Sequence, residues 1–469
     1  MLFSEQERWL ALPCVVVLAG CAAFEPKPLV PAQTAGKFDA RTLADPGLQT
    51  FVEANAPELA KEWPRRSWDL PGLTVVAFYY HPSLDVARAQ WGVANAGVKT
   101  AAGRPNPTLS ITPGYDFSAA SGILPWIPGV TFDVPIETAG KRGTRITRAE
   151  YLAEAARHNV TTVAWQVRSN LRKALTDLTT AERRRGVLRE QVEVQQRIAE
   201  LVEQQRRAGA ASIVEVAAIR VALTKLQADE ADAQRQMTDA RTRLAEALGL
   251  PVAALEGVRF GFPLEPVWDP TALLDKAEAR RLALQQRSDI RAVLAEYEAS
   301  QAALQLEVAK QYPDLHLGSG YQWDQGDHKW NLALTLELPI LDRNQGPIAE
   351  AETRREETAA QLLALQAKVI AEIDRAAAAL STTAEQLHRL RQIHQALGDQ
   401  LRNVQARLSA GGADQLELQN AKLEVGVSAL ALLDVEARSS LAAGELEDAL
   451  QIPFKAPSVA QPQRDTGDT

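Results

Sequence analysis

Asp414 and Glu417 stand three residues apart just beyond a glycine pair, a spacing that puts both carboxylates on one face of a helix, where they could attract a cation. The same spacing also describes an ordinary solvated face. Elsewhere the residue types that do chemistry are thinly spread. Cys14 and Cys21 both lie at the extreme N-terminus, so the body of the chain holds neither a disulfide framework nor a thiolate metal site. His81, His158, His316, His328, His388 and His394 form no HExxH-like pair. No nucleophile adjoins a base motif, no glycine loop cradles phosphate, and no paired-acid signature is present, so neither an enzyme nor a cofactor is expected. A net charge of -8, with basic residues scattered among acidic ones along helical stretches, argues against a nucleic-acid partner.

The elements that would position these residues come from a duplication. "PNPTLSITPGY" and "QYPDLHLGSGY" superpose Pro107 on Pro313, Leu109 on Leu315 and Tyr115 on Tyr321. Pro135 then meets Pro339. Further on, one constant offset pairs Ala149 with Ala351, Gly209 with Gly411, Glu215 with Glu417 and Pro251 with Pro453. Each half is predicted to run helix, strand, loop, strand, long helix, tight turn, long helix. In the first long helix Val160, Ala164, Val167, Leu171, Ala174, Leu178, Ala181, Leu188, Val192, Ala199 and Val202 alternate at spacings of four and three, the coiled-coil pattern. No proline interrupts residues 144–207, and a single helix of that length reaches roughly 95 Å. It must form an extended antiparallel hairpin. The turns fall at "RAGAAS" and "SAGGAD", where glycine lets the chain leave the helix and Ser212 or Asp414 can cap the next one.

Between the helices lie two-faced strands. In "WNLALTLELPI" Trp330, Leu332, Leu334, Leu336 and Leu338 share one face, while Asn331, Thr335 and Glu337 share the other. Leu109, Ile111, Tyr115 and Phe117, then Val130, Phe132, Val134 and Ile136, then Leu315, Leu317, Tyr321 and Trp323 alternate likewise. Each run approaches the ~9–11 residues that a tilted strand needs to cross a bilayer, with aromatic residues near several ends. A soluble sheet covered by a helix would show the same alternation. Four strands cannot close a membrane barrel, because open edges in hydrocarbon leave backbone groups unpaired, so such a barrel must be shared between chains.

The N-terminal "WLALPCVVVLAGC" is too short to span as a helix and reads as a secretory signal, residues 1–20. Leu18, Ala19, Gly20 and Cys21 resemble a lipobox, which would make Cys21 the lipid-bearing mature N-terminus. Residues 21–70 are expected to be a tether and periplasmic segment, with proline-rich "FEPKPLVPAQ" at its start. The repeats are placed at 71–253 and 266–453, and 454–469 reads as a disordered tail.

The duplicated plan, the "PNPTLSI" and "YPDLHLG" strand starts, "VPIETAGKRGTRITRAE" and "RAGAASIVEVAAIRVAL" together resemble the TolC-like outer-membrane efflux proteins. "ETAGKRG" looks most like the branch serving heavy-metal efflux. The resemblance covers about residues 71 to 453. It implies a mainly α chain with a small β part, duplicated long α-hairpins forming an α-barrel and four transmembrane strands given to a trimeric twelve-stranded β-barrel. It further implies a homotrimer in outer-membrane lipid, lipid-anchored and with a large periplasmic portion. As a passive duct it would work with a periplasmic adaptor and an inner-membrane efflux pump of the RND type. By the same resemblance Arg207, Gly209, Ser212, Gly411, Gly412 and Asp414 form the tips that meet the adaptor. Asp414 and Glu417 would repeat about the axis as an acidic ring, and Asn331, Thr335 and Glu337 would line the lumen. Two alternatives stay open: a periplasmic coiled-coil scaffold that never enters the bilayer, and the same duct serving drug efflux or type I protein secretion.

Overall fold

The computed structural model describes residues 24–61, 63, 65, 67–264 and 276–453. The signal segment 1–20, the lipidation candidate Cys21 and the tail 454–469 lie outside the described residues. The chain divides into residues 1–42 and 43–469. In the first unit residues 24–30 are irregular and helix α1 (Pro31–Asp39) opens on a proline, whose fixed φ suits the first helical position. The proline-rich stretch is thus irregular only as far as Val30.

The second unit opens with elements that the periodicity did not reveal: α2 (Pro46–Asn55), α3 (Pro57–Ala60), the short strand β1 (Ser67–Trp68) and α4 (Leu70–Tyr80). Asp45 and Asp69 cap α2 and α4, accepting from the backbone N–H of Leu48 and Gly72 at 2.9 and 3.0 Å. The first repeat follows as α5 (Pro82–Ala101), β2 (Thr108–Tyr115), β3 (Trp126–Ile136), α6 (Lys141–Arg207) and α7 (Ile213–Leu248). A 3-10 turn (Val252–Leu255), β4 (Arg259–Phe260) and α8 (Lys276–Gln286) lead to the second repeat. This comprises α9 (Ser288–Ala309), β5 (Leu315–Asp324), β6 (Asp327–Leu336), α10 (Gln345–Ser409) and α11 (Gln415–Leu450). The chain is mainly helical with a small sheet, and its element order repeats as the sequence predicts. β1 pairs with β4 in parallel, bringing the start of the unit beside the connector between repeats.

The long helices run 67 residues in α6 and 65 in α10, whereas α7 and α11 have 36 each. A partner that short cannot cover a helix of about 100 Å. The remainder of α6 is therefore covered by α5 and α9, while α7 and α11 flank its tipward part; α10 packs on α9 and α11. The helices form a layer with α6 and α11 inside and α7 and α10 at its flanks. α6 buries Val167, Leu171, Ala174, Leu178, Ala181 and Leu188 at the predicted spacing. Nearer the tip the predicted Val202 stays buried, but Gln191, Gln195 and Ile198 are buried with it while the predicted Val192 and Ala199 are only half-buried. Ile213, the first residue of α7, is exposed at the tip.

One core cluster joins α2, α4, α5, α6 and α7 around Leu73, Leu171, Leu244 and Leu248, and a second joins α8 to α11 around Val369, Ile373 and Leu446. The helix-ending residues differ between repeats. Gly249 ends α7 at φ 72°, where a Cβ would meet the Tyr80 carbonyl oxygen at 2.7 Å. Its repeat mate Gln451 adopts φ 51°, and its side-chain oxygen accepts from the Ser288 backbone N–H at 2.8 Å. The left-handed residue that ends α11 thus also caps α9.

Candidate functional site

The strands form one antiparallel sheet in the order β2-β3-β5-β6. Its register sets Leu109 opposite Phe132, Phe132 opposite Ser319, Val134 opposite Leu317 and Leu317 opposite Leu334. Because side chains alternate, every apolar run falls on one face. Leu109, Ile111, Leu332 and Leu334 are all exposed there. At the hairpin end of that face Tyr115 meets Trp126 edge-on at 5.1 Å and Tyr321 lies 4.9 Å from Trp330. The opposite face carries Thr108, Ser110, Thr131, Asp133, His316, Asn331 and Thr335, with His316 Nδ1 and an Asp133 carboxylate oxygen 2.8 Å apart. Gly320 is glycine for a local reason, since a side chain there would collide with Asn331. Asn331 and Thr335 therefore stand on the polar face as expected. Glu337 does not lie on a strand, because β6 ends at Leu336, which pairs with Leu315, the first residue of β5. The sheet is open, with β2 and β6 at its edges.

At the helical end of the sheet the "ETAGKRG" stretch fastens the two repeats together. The Thr138 backbone N–H donates to Asp314 at 2.9 Å and its hydroxyl to the Pro313 carbonyl at 2.6 Å. The Lys141 ammonium, buried by its neighbours, donates to the Tyr312 carbonyl at 2.6 Å and to Asp314 at 2.8 Å. Arg145 pairs with Glu137 at 2.6 Å and donates to the Ala101 carbonyl. Burial alone would push the Asp314 carboxyl up, but the Lys141 ammonium and the Thr138 N–H outweigh it and hold the pKa below the ordinary value. A depressed carboxylate pKa contributes stability that is present above the unfolded value and lost as pH falls through the folded one. Asp314→Asn is therefore expected to lower the melting temperature by a constant amount above about pH 5, with the difference shrinking as pH falls through the depressed folded-state value. A difference that persists unchanged into acid would contradict this linkage.

The tips are two turns side by side. α6 closes through Arg207, Ala208 and Gly209 at φ 79°, and Ser212 opens α7 with a capping box, its hydroxyl accepting from Glu215 N–H at 3.2 Å. The N–H of Ser212 returns a bond to the Glu215 carboxylate at 2.6 Å, which lowers that carboxyl's pKa. Beside it Glu203 is drawn down to about 2 by hydrogen bonds from Arg206 and Arg207. In the second turn Gly411 has φ 76°, Gly412 offers its carbonyl to Arg407 at 2.9 Å, and Asp414 accepts from Glu417 N–H at 2.7 Å. Glu417 pairs with Arg407 at 2.8 Å. Neither carboxylate of the acidic pair is thus without a partner: one caps a helix, the other meets a guanidinium. Ile198, Val202 and Val216 pack with Leu416 and Leu423, joining the tip of one hairpin to that of the other. A cleft of about 340 Å³ lined by Gln400, Asp414, Glu417, Asn420 and Glu424 opens beside the second turn. Among the described residues no cluster of three or more His, Cys, Asp or Glu side chains is arranged to hold a metal.

Sequence reading missed the polar seam between α6 and α11. Arg172, 5% exposed, pairs with Glu447, also 5% exposed, and with Asp448, and donates to the Gly444 carbonyl at 2.7 Å. Arg168 reaches Glu447 at 2.7 Å, and further along Arg184 pairs with Asp434. Gly444 leaves room for the guanidinium, since a Cβ there would collide with it. Ser169, Arg172 and Thr176 at spacings of three and four were the available signal of a second buried face.

The profile of the outer membrane efflux protein family matches residues 76–250 and 279–450, most of the chain. The chain belongs to that family. The cobalt-zinc-cadmium resistance protein CzcC of Cupriavidus metallidurans is 28% identical over 225 residues, covering 47% of this chain and 51% of that protein. The chain thus spans about half the length of the curated relative it matches. In fold it is similar to the outer membrane protein VceC of Vibrio cholerae, with TM-score 0.66 at 19% identity, covering 81% of this chain and 95% of that one. It is similar also to the CmeC outer membrane channel of Campylobacter jejuni, with TM-score 0.67 at 16% identity, covering 83% and 86%. Among the described residues no helix is long and apolar enough to cross a membrane.

Proposed function

We propose that the chain is the outer-membrane duct of a tripartite efflux system, a passive homotrimer that carries its substrate from an inner-membrane pump of the RND type, through a periplasmic adaptor, to the exterior. The observation that carries this reading is an open four-stranded sheet, greasy on one face and wet on the other, joined to helices of about 100 Å. An exposed apolar face of that extent suits lipid, and its open edges require further strands. Three copies would supply twelve, enough for an aqueous lumen lined by Asn331 and Thr335. Cys21 would carry the lipid anchor. The tips at Arg207, Gly209, Ser212, Gly411, Gly412 and Asp414 would meet the adaptor. Repeated about the axis, Asp414, Glu417 and the Arg407 that pairs with Glu417 would leave a net negative ring that favours cations. Heavy-metal cations are the proposed cargo, supported by the similarity to a cobalt-zinc-cadmium resistance protein.

The native mass of the detergent-extracted membrane protein tests the assembly. Three chains per particle are expected. A single chain, or release from membranes by carbonate without detergent, would leave a periplasmic scaffold instead.

A further inference from the structure

We propose that His316, held by Asp133 on the polar face of the sheet, is a single-imidazole contact for a divalent transition-metal cation, Zn2+ or Co2+ in kind, on its way through the lumen. This rests on the duct reading above and adds to it a place where the cargo meets the wall.

The register puts the contact on the water side. β5 turns His316, Gly318, Gly320 and Gln322 to one face. His316 stands opposite Thr335 of β6 and Pro135 of β3, and Asp133 lies on the diagonal, directly opposite Gly318. His328, the other histidine of the sheet, is opposite Trp323 on the greasy face and bonds the Tyr321 hydroxyl. Among the described residues His316 is therefore the one imidazole on the polar face. Its side chain is 43% exposed and that of Asp133 30%. Gly318 leaves the floor beside the pair clear, since a Cβ there would lie 3.8 Å from the Asp133 carboxylate.

The hydrogen bond decides what the ring can do. An ionised carboxylate only accepts, so at 2.8 Å the shared proton belongs to His316 Nδ1. In the neutral ring Nε2 then carries a lone pair, turned away from Asp133 across the ring. A carboxylate behind an imidazole is the arrangement that orients a metal-binding histidine and raises its basicity. Imidazole suits zinc, copper and nickel, whereas magnesium and calcium prefer oxygen. One imidazole completed by water is a weak ligand set, and a conduit requires weakness, because the ion must leave as readily as it enters. Spread about a twelve-stranded lumen, the rings of three copies act singly.

Diethyl pyrocarbonate acylates unprotonated imidazole nitrogens, and mass spectrometry of the detergent-extracted full chain reads each histidine separately. Saturating Zn2+ should slow the modification of His316 at least about fivefold, and Mg2+ at the same concentration should leave it unchanged. Asp133→Asn should raise the Zn2+ concentration that half-protects His316 by about 10–100-fold. Asp133→Ser, a residue type this face already carries at Ser110, repeats the test, and both variants are read on particles of three chains. Failure of Zn2+ to protect, equal protection by Mg2+, or an unchanged midpoint in the variants overturns the contact and, with a native mass of three chains, leaves the duct standing. A native mass of one chain overturns the duct and the lumen contact with it.

Discussion

Arg172→Met is expected to destabilise the folded chain by about 3–5 kcal/mol, enough to remove most assembled protein from the outer membrane at growth temperature. The guanidinium is the cation between Glu447 and Asp448 in the seam of α6 and α11, and both it and Glu447 are buried. Removing it leaves Glu447 and Asp448 in a buried seam with one cation fewer, while Arg168 stays 2.7 Å from Glu447. The cost lies in the excess buried negative charge more than in the lost attraction. Arg172→Met combined with Glu447→Leu should therefore recover at least half of the lost melting temperature, because removing both charges removes the desolvation penalty too. Thermal unfolding of the detergent-extracted protein checks both variants. A wild-type melting curve for Arg172→Met would mean that the seam is hydrated and its ion pairs contribute little.

The second large effect separates the faces of the sheet. Phe132 and Thr131 are neighbours in the middle of β3, yet Phe132 stands among Leu109 and Val130's apolar face while Thr131 lies opposite Ser110 and Gly320. Phe132→Arg puts a guanidinium into hydrocarbon at a cost of about 2–4 kcal/mol near the bilayer midplane, repeated in every copy. It is expected to abolish carbonate-resistant membrane association. Thr131→Arg points into water and should insert normally while narrowing the lumen. Equal behaviour of the two variants in a carbonate wash followed by immunoblotting would count against a lipid-facing sheet.

Local pattern was enough for much of this molecule. The hairpins and the four alternating strands follow from periods of 3.5 and 2 that each segment carries by itself, and the duplication from matches held at a constant offset. The tips were legible for the same reason: Gly209, Gly411, Ser212 and Asp414 are turn and cap residues whose chemistry is contained within a few neighbours. The family resemblance drew on ordered stretches of the same kind.

What the tertiary structure decided are the pairings between residues far apart in sequence, which no periodicity encodes. Arg172 finds Glu447 across 275 residues, and Lys141 of "ETAGKRG" finds Asp314 across 173, turning that stretch into a fastening between repeats. Glu417, read from spacing as half of an acidic pair, is engaged by Arg407, and the strand that alternation carries to Ile340 stops at Leu336. In each case the sequence supplies a side chain or a backbone ready to pair, and only the packing of distant elements determines whether a partner stands opposite it.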